Sequence, residues 1–152
     1  MKVKLMNMCM IYNDNNEVLV QDRKKKYWSG IGFPGGHVEL NESLVDSAIR
    51  EVKEETDLDI TDLEFCGFKS WDDEKKNLVI LFKTNSFTGT LKEYSDEGRN
   101  FWVDKSELKD LNLANGFIDD LNVYYSDEVK EIYYAFDEKG EYTKEVQNIK
   151  MK

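Results

Sequence analysis

The stretch REVKEETDL, Arg50–Leu58, places four acidic side chains and one arginine within nine residues. Like charges three or four apart on a helix repel by a few tenths of a kcal/mol per pair. Such a segment is therefore either a solvated charged face or a holder of cations. On a helix over residues 42–56, Glu51, Glu54 and Glu55 fall within one sector of about 100°, beside the apolar residues. Carboxylates converging there make a hard oxygen site, suited to Mg²⁺ or Mn²⁺. Arg50 stands four residues before Glu54 and can also reach back toward Glu42, so it can hold carboxylates in place.

The elements that must position these groups are legible on either side. WSGIGFPGGHVE (28–39) is a glycine-rich loop with the only proline, and Gly35–Gly36 lets the backbone approach a ligand closely. Asn41 is the expected N-cap of the following helix, with Glu42 in its first turn. Val45, Ala48, Ile49 and Val52 form its expected buried stripe, and the helix ends near Thr56–Asp57. Before the loop, residues 3–12 and 17–23 read as a strand pair around NDNN (13–16). Arg23 and the KKK run (24–26) are available to phosphates, although a lysine run is also an ordinary solvated loop.

After the helix, strands are expected over 60–69, 77–84, 86–92 and 99–103, with a hairpin tip at 72–77. DKSELKDL (104–111) carries a capping-box pattern for a short helix, residues 115–125 read as a second long helix, and 131–149 as a hairpin about Glu138–Gly140. The mixture of helices and antiparallel hairpins indicates an α/β or α+β class with a mixed sheet in one domain spanning 1–152.

Composition narrows the partners. The 152 residues carry a formal net charge of −10, with no basic stripe, which excludes polymeric nucleic acid as a partner. A small anionic ligand then needs a metal to bridge it to the acidic surface. Cys9 and Cys66 lack metal-ligand spacing and read as free thiols of a reducing compartment. No run approaches the length of a membrane span, and the N-terminal stretch lacks the features of a signal peptide. A soluble cytoplasmic protein is expected, with monomer and homodimer both open.

With these residues in place, the sequence resembles the Nudix hydrolases, whose box is G-x5-E-x7-R-E-U-x-E-E-x-G-U, with U apolar. Gly36, Glu42, Arg50–Val52, Glu54–Glu55 and Leu58 match it over 23 residues, and Asp57 stands where the box has glycine. GFPGG before the box and DEGRNFWV after it extend the likeness over most of the chain, and the N-terminal portion is similar to the MutT-type branch. The resemblance implies an α/β/α sandwich with a mixed sheet, and hydrolysis of a nucleoside diphosphate linked to another group. It implies that Glu54 and Glu55 are principal metal ligands, Glu51 a ligand or general base, and the Gly35 carbonyl a further ligand. Glu42 and Arg50 become an orienting pair. Glu97, before Gly98, becomes an extra ligand or base, with Asp96 its near rival.

MutT-type members are assigned to oxidised purine triphosphates such as 8-oxo-dGTP, and Asn115 in LANGF resembles a residue that reads the purine in some of them. Asn115 also fits a helix N-cap. Phe33, Trp28, Trp71 and Trp102 are candidates to stack on a base, most of them needed for the core. His37 reads as a loop residue, or one that supports the site from behind, rather than the base. Three readings follow: a Mg²⁺-dependent nucleoside triphosphate pyrophosphatase; a Nudix enzyme acting on ADP-ribose, a dinucleoside polyphosphate or a nucleotide sugar; and a nucleotide sensor without turnover. The intact Glu51, Glu54 and Glu55 argue against the sensor.

Overall fold

The computed structural model describes residues 1–25 and 28–152, and of Trp28 the backbone. Lys26 and the Trp28 side chain, both weighed above, lie outside the described residues. The chain runs β1 (Val3–Ile11), β2 (Glu17–Lys25), β3 (Trp28–Gly32), β4 (Gly35–His37), α1 (Leu44–Thr56), β5 (Asp59–Thr61), β6 (Glu64–Asp72), β7 (Lys76–Thr84), β8 (Ser86–Thr88), β9 (Tyr94–Ser95) and β10 (Gly98–Asp104). A 3-10 turn (Lys105–Asp110), α2 (Phe117–Tyr124), β11 (Val129–Phe136) and β12 (Tyr142–Ile149) complete it.

Period-2 alternation in the central strands explains the layers. Met6, Met8 and Met10 of β1 and Val79 and Leu81 of β7 point to one face, where they meet Phe117, Leu121 and Tyr124 of α2. Cys9 and Ile11, with Ile80 and Phe82, point to the other and meet Ala48 and Val52 of α1. A six-stranded mixed sheet in the order β12-β11-β6-β7-β1-β4 thus lies between the two helices. Its β1–β7 and β11–β6 pairs are parallel and the rest antiparallel. A second, antiparallel sheet has the order β3-β2-β10-β9, and β5 pairs with β8. This is the expected α/β/α sandwich with a mixed sheet.

Several local expectations are corrected. Asn41 has φ 65°, a left-handed turn conformation, so it does not cap α1. Ser43 has the extended backbone a cap needs, and its side chain accepts from the Asp46 N–H. Glu42 therefore precedes the helix instead of sitting in its first turn. Of the expected stripe, Ala48 and Val52 are buried and Ile49 packs against their cluster, but Val45 is 42% exposed, and Ser47, Glu55 and Thr56 complete the buried face.

The glycine-rich segment is largely strand. Its β4 lies so close to β1 that a Cβ on Gly35 would stand 2.1 Å from the Asn7 carbonyl oxygen. The expected strand 60–69 divides into β5 and β6, and that over 86–92 shortens to β8. The helix expected at 115–125 begins only at Phe117, behind a left-handed Gly116.

Candidate active site

Arg50 is the hub of the acidic helix face. Its Nε and Nη2 donate to the two Glu42 oxygens at 3.0 and 2.8 Å, a bidentate pair. Nη1 donates to Glu51 at 3.0 Å and to Glu54 at 3.3 Å, and Nη2 also reaches the His37 carbonyl at 2.9 Å. These hydrogen bonds hold the Glu42 carboxyl down at about 2. The Arg50 guanidinium is stabilised in turn, raised above its ordinary value mainly by Glu42.

The glycine strap lies over Glu55 and Glu51. Glu55 is 5% exposed, and its Oε2 accepts from the Gly35 N–H at 3.1 Å. Burial pushes its carboxyl up to about 8; Arg23 opposes this, and Glu51 and Glu97 add to it. Burial also raises Glu51, against the pull of Arg50. A Cβ on Gly36 would meet the Glu51 carboxylate at 2.4–2.6 Å, so the strap is cut to fit that side chain.

Buried amides fix these elements to each other. Asn7 donates to the Ser47 hydroxyl at 2.9 Å and its carbonyl oxygen accepts from the Gly36 N–H at 3.3 Å, tying β1, α1 and β4. Asn100 donates to the Glu55 carbonyl at 2.7 Å and accepts from Gln21 at 3.2 Å. Gln21 in turn accepts from Arg23 Nε at 3.2 Å.

Three recesses lie in a row. Glu51, Glu54, Glu55 and Glu97 line an acidic one. Glu51 and Glu97 also border the next, which holds Arg23, Lys25 and the Gly35–Gly36 strap. Arg23, Lys69 and Met8 lead on to a third, of about 270 Å³, walled by Trp71, Tyr134, Phe136 and Asn115. Such a cleft, largely apolar with a few polar groups, suits a small organic ligand.

The expected carboxylates thus share one recess, but they do not converge on one point. Among the described residues, no three His, Cys, Asp or Glu side chains stand in a metal-holding arrangement. Glu51 and Glu54 face Arg50, Glu55 faces the Gly35 N–H, and Glu97 accepts from Lys25 at 2.9 Å. Cationic and N–H partners satisfy oxygens that would otherwise repel each other.

Arg23 and Asn115 line the row, and no side-chain bond caps α2, so Asn115 is not its cap. Phe33 is corrected. Its ring is fully buried, edge-on to Phe117 and Tyr124 at 4.7 and 5.3 Å, and only its carbonyl serves the site, accepting from Arg23 at 2.7 Å. Trp102 packs on Phe87 in the opposite core. Trp71 alone of the described tryptophans lines the third recess.

Lys69 and Asp120 were missed, although a signal existed. Asp120 shares the helical stripe of Phe117, Leu121 and Tyr124, and Lys69 follows Phe65, Cys66 and Phe68 in β6.

Comparison with known proteins identifies the family. The NUDIX domain pattern matches residues 6–143. An uncharacterized Nudix hydrolase, YvcI of Bacillus subtilis, is 31% identical over 114 residues, covering 71% of this chain and 70% of that protein. An 8-oxo-dGTP diphosphatase of Buchnera aphidicola is 32% identical over 111 residues, covering 70% and 81%. The crystal structure of a MutT protein from Bacillus halodurans superimposes with a TM-score of 0.77 at 24% identity, covering 94% of this chain and 97% of that one. By these matches the chain belongs to the Nudix family, as a hydrolase of the MutT type acting on diphosphate bonds.

Proposed function

We propose that the protein cleaves a nucleoside triphosphate to the monophosphate and pyrophosphate in a reaction that depends on Mg²⁺, with an oxidised purine nucleotide such as 8-oxo-dGTP as the candidate substrate. The observation that carries this reading is the order of the recesses: acidic, then cationic, then aromatic. That order matches a metal-bound phosphate chain running into a flat heterocycle. The Buchnera relative, an 8-oxo-dGTP diphosphatase, supports the choice of substrate.

The donor set fits a hard divalent ion. Glu51, Glu54, Glu55 and Glu97 border one recess and would supply carboxylate oxygens to such an ion, whose charge would offset the repulsion from Glu51 and Glu97 that adds to burial in raising Glu55. The Gly35 carbonyl would be a further ligand. When bound, the ion supplies charge neutralisation of the phosphates and lowers the pKa of coordinated water.

The chain's own residues do the rest. Arg50, anchored by Glu42, orients Glu51 and Glu54. Arg23 and Lys25 face the phosphate chain. A carboxylate of the acidic recess accepts the proton of the attacking water. Asn115 offers a donor and an acceptor to the base. The substrate is a small molecule, and the place of action is the cytoplasm, in keeping with two free buried thiols.

The test is a panel of nucleotides scored by pyrophosphate release at limiting Mg²⁺, for wild type and Glu54→Gln. Release from a triphosphate is expected, with a loss on the order of a hundredfold in the variant. Wild-type turnover by Glu54→Gln removes the metal assignment. Turnover of ADP-ribose far above any triphosphate removes the triphosphatase assignment.

A further inference from the structure

Lys69 and Asp120 form an ion pair in the wall of the aromatic recess, and the metal and phosphate chemistry makes no use of it. Lys69 Nζ stands 2.9 Å from Asp120 Oδ2, and the side chains are 11% and 2% exposed. A buried pair of this kind can be replaced by apolar residues of similar volume with little or no loss of stability. Stability alone is therefore a weak reason for its presence.

The pair is also incomplete. Among the described residues, Asp120 Oδ1 is the one buried side-chain nitrogen or oxygen without a hydrogen-bond partner. Leaving an acceptor in that condition is costly, more so for a charged group. The ammonium has three N–H donors, of which one goes to Asp120. One acceptor and spare donors thus sit side by side in a cleft walled by Trp71, Tyr134 and Phe136.

We propose that Lys69 and Asp120 read the lactam edge of a nucleobase, with Asp120 Oδ1 accepting the ring N–H and Lys69 Nζ donating to the adjacent carbonyl oxygen. This rests on the aromatic recess being the base end of a nucleotide site. The flat walls select a planar ring by stacking. A carbonyl oxygen projects from the ring and offers two lone pairs to the ammonium, whereas an adenine edge offers it only a recessed ring nitrogen. The favoured bases are guanine and hypoxanthine among purines, with adenine disfavoured. Asn115, on the same wall, is left for another part of the ring.

Inosine and adenosine nucleotides test this directly, because they differ only along that edge. Wild type is expected to show a KM for inosine triphosphate at least about tenfold below that for adenosine triphosphate. Asp120→Asn is expected to raise the inosine KM by a similar factor and move the adenosine KM less than about threefold. Because Asp120→Asn breaks a buried pair, the double variant Lys69→Met/Asp120→Leu provides a second, apolar replacement that keeps the core filled. It too is expected to lose the discrimination.

Equal KM values in wild type, or equal losses for both nucleotides in the variants, overturn the proposal. Protection of the metal-free protein against heat by inosine monophosphate and by adenosine monophosphate separates it from the reading on which it rests. Triphosphate cleavage without base preference leaves the hydrolase reading standing and removes this one. Preferential protection by the inosine nucleotide with no triphosphate cleaved does the reverse.

Discussion

Glu55 lies beneath the glycine strap, 5% exposed, with its carboxyl pushed up to about 8 from an ordinary 4.5. Through that window the folded chain keeps a proton that the unfolded chain releases. The group's contribution to stability is therefore intact below pH 4.5 and is lost as pH rises toward about 8, at up to about 1.4 kcal/mol per pH unit. In chelator, wild type should lose thermal stability from pH 5 to 8. Glu55→Gln should flatten that slope and melt higher at pH 8, by on the order of 5 °C. Parallel pH slopes for the two proteins would show that the strain lies elsewhere. At this scale the sequence was informative where a fixed spacing repeats a known chemistry, as at Arg50 and Glu54. It was silent where burial decides: Phe33 and Trp71 are both aromatic, and only packing puts the first in the core and the second on the recess.

Helix α1 was legible in its end more than in its start. Asp57 adopts φ 65° and its N–H closes on the Lys53 carbonyl at 3.0 Å, as the glycine of the box implies. Asp57→Gly removes the left-handed strain of a side chain there. It gives up only a long 3.9 Å contact between half-buried Lys92 and the exposed Asp57 carboxylate. We expect a gain of a few tenths to about 1 kcal/mol in chemical denaturation. A loss would assign Asp57 a contact with more weight than that ion pair. The start of the helix was misplaced because Asn, Glu and Ser in succession all offer capping oxygens, and sequence does not reveal that Asn41 turns left-handed. Strand β4 was unreadable for a related reason. Its glycines signal freedom locally, yet Gly35 is required because any Cβ there would collide with a carbonyl 28 positions earlier in the chain, that of Asn7.

The whole molecule is organised by neighbours distant in sequence, and local patterns carry no record of that order. The aromatic recess takes Met8 from β1, Arg23 from β2, Lys69 from β6, Asn115 ahead of α2 and Phe136 from β11. No local window of sequence contains it. The same topology bears on how the chain comes to be made. Strand β1 pairs in parallel with β7, and its last rung joins Ile11 to Thr84. At roughly 5–20 residues per second of synthesis, several seconds separate the two strands. Throughout that interval the run MNMCMI has no central partner, and both of its faces are apolar. Nascent chains ending at residue 75 should therefore be protease-sensitive and depend on a holding chaperone, and chains extending past Thr84 should acquire a protected core. Pulse proteolysis of the two lengths measures this. A protected fragment from the shorter chain would mean that β1 finds shelter before its partner exists.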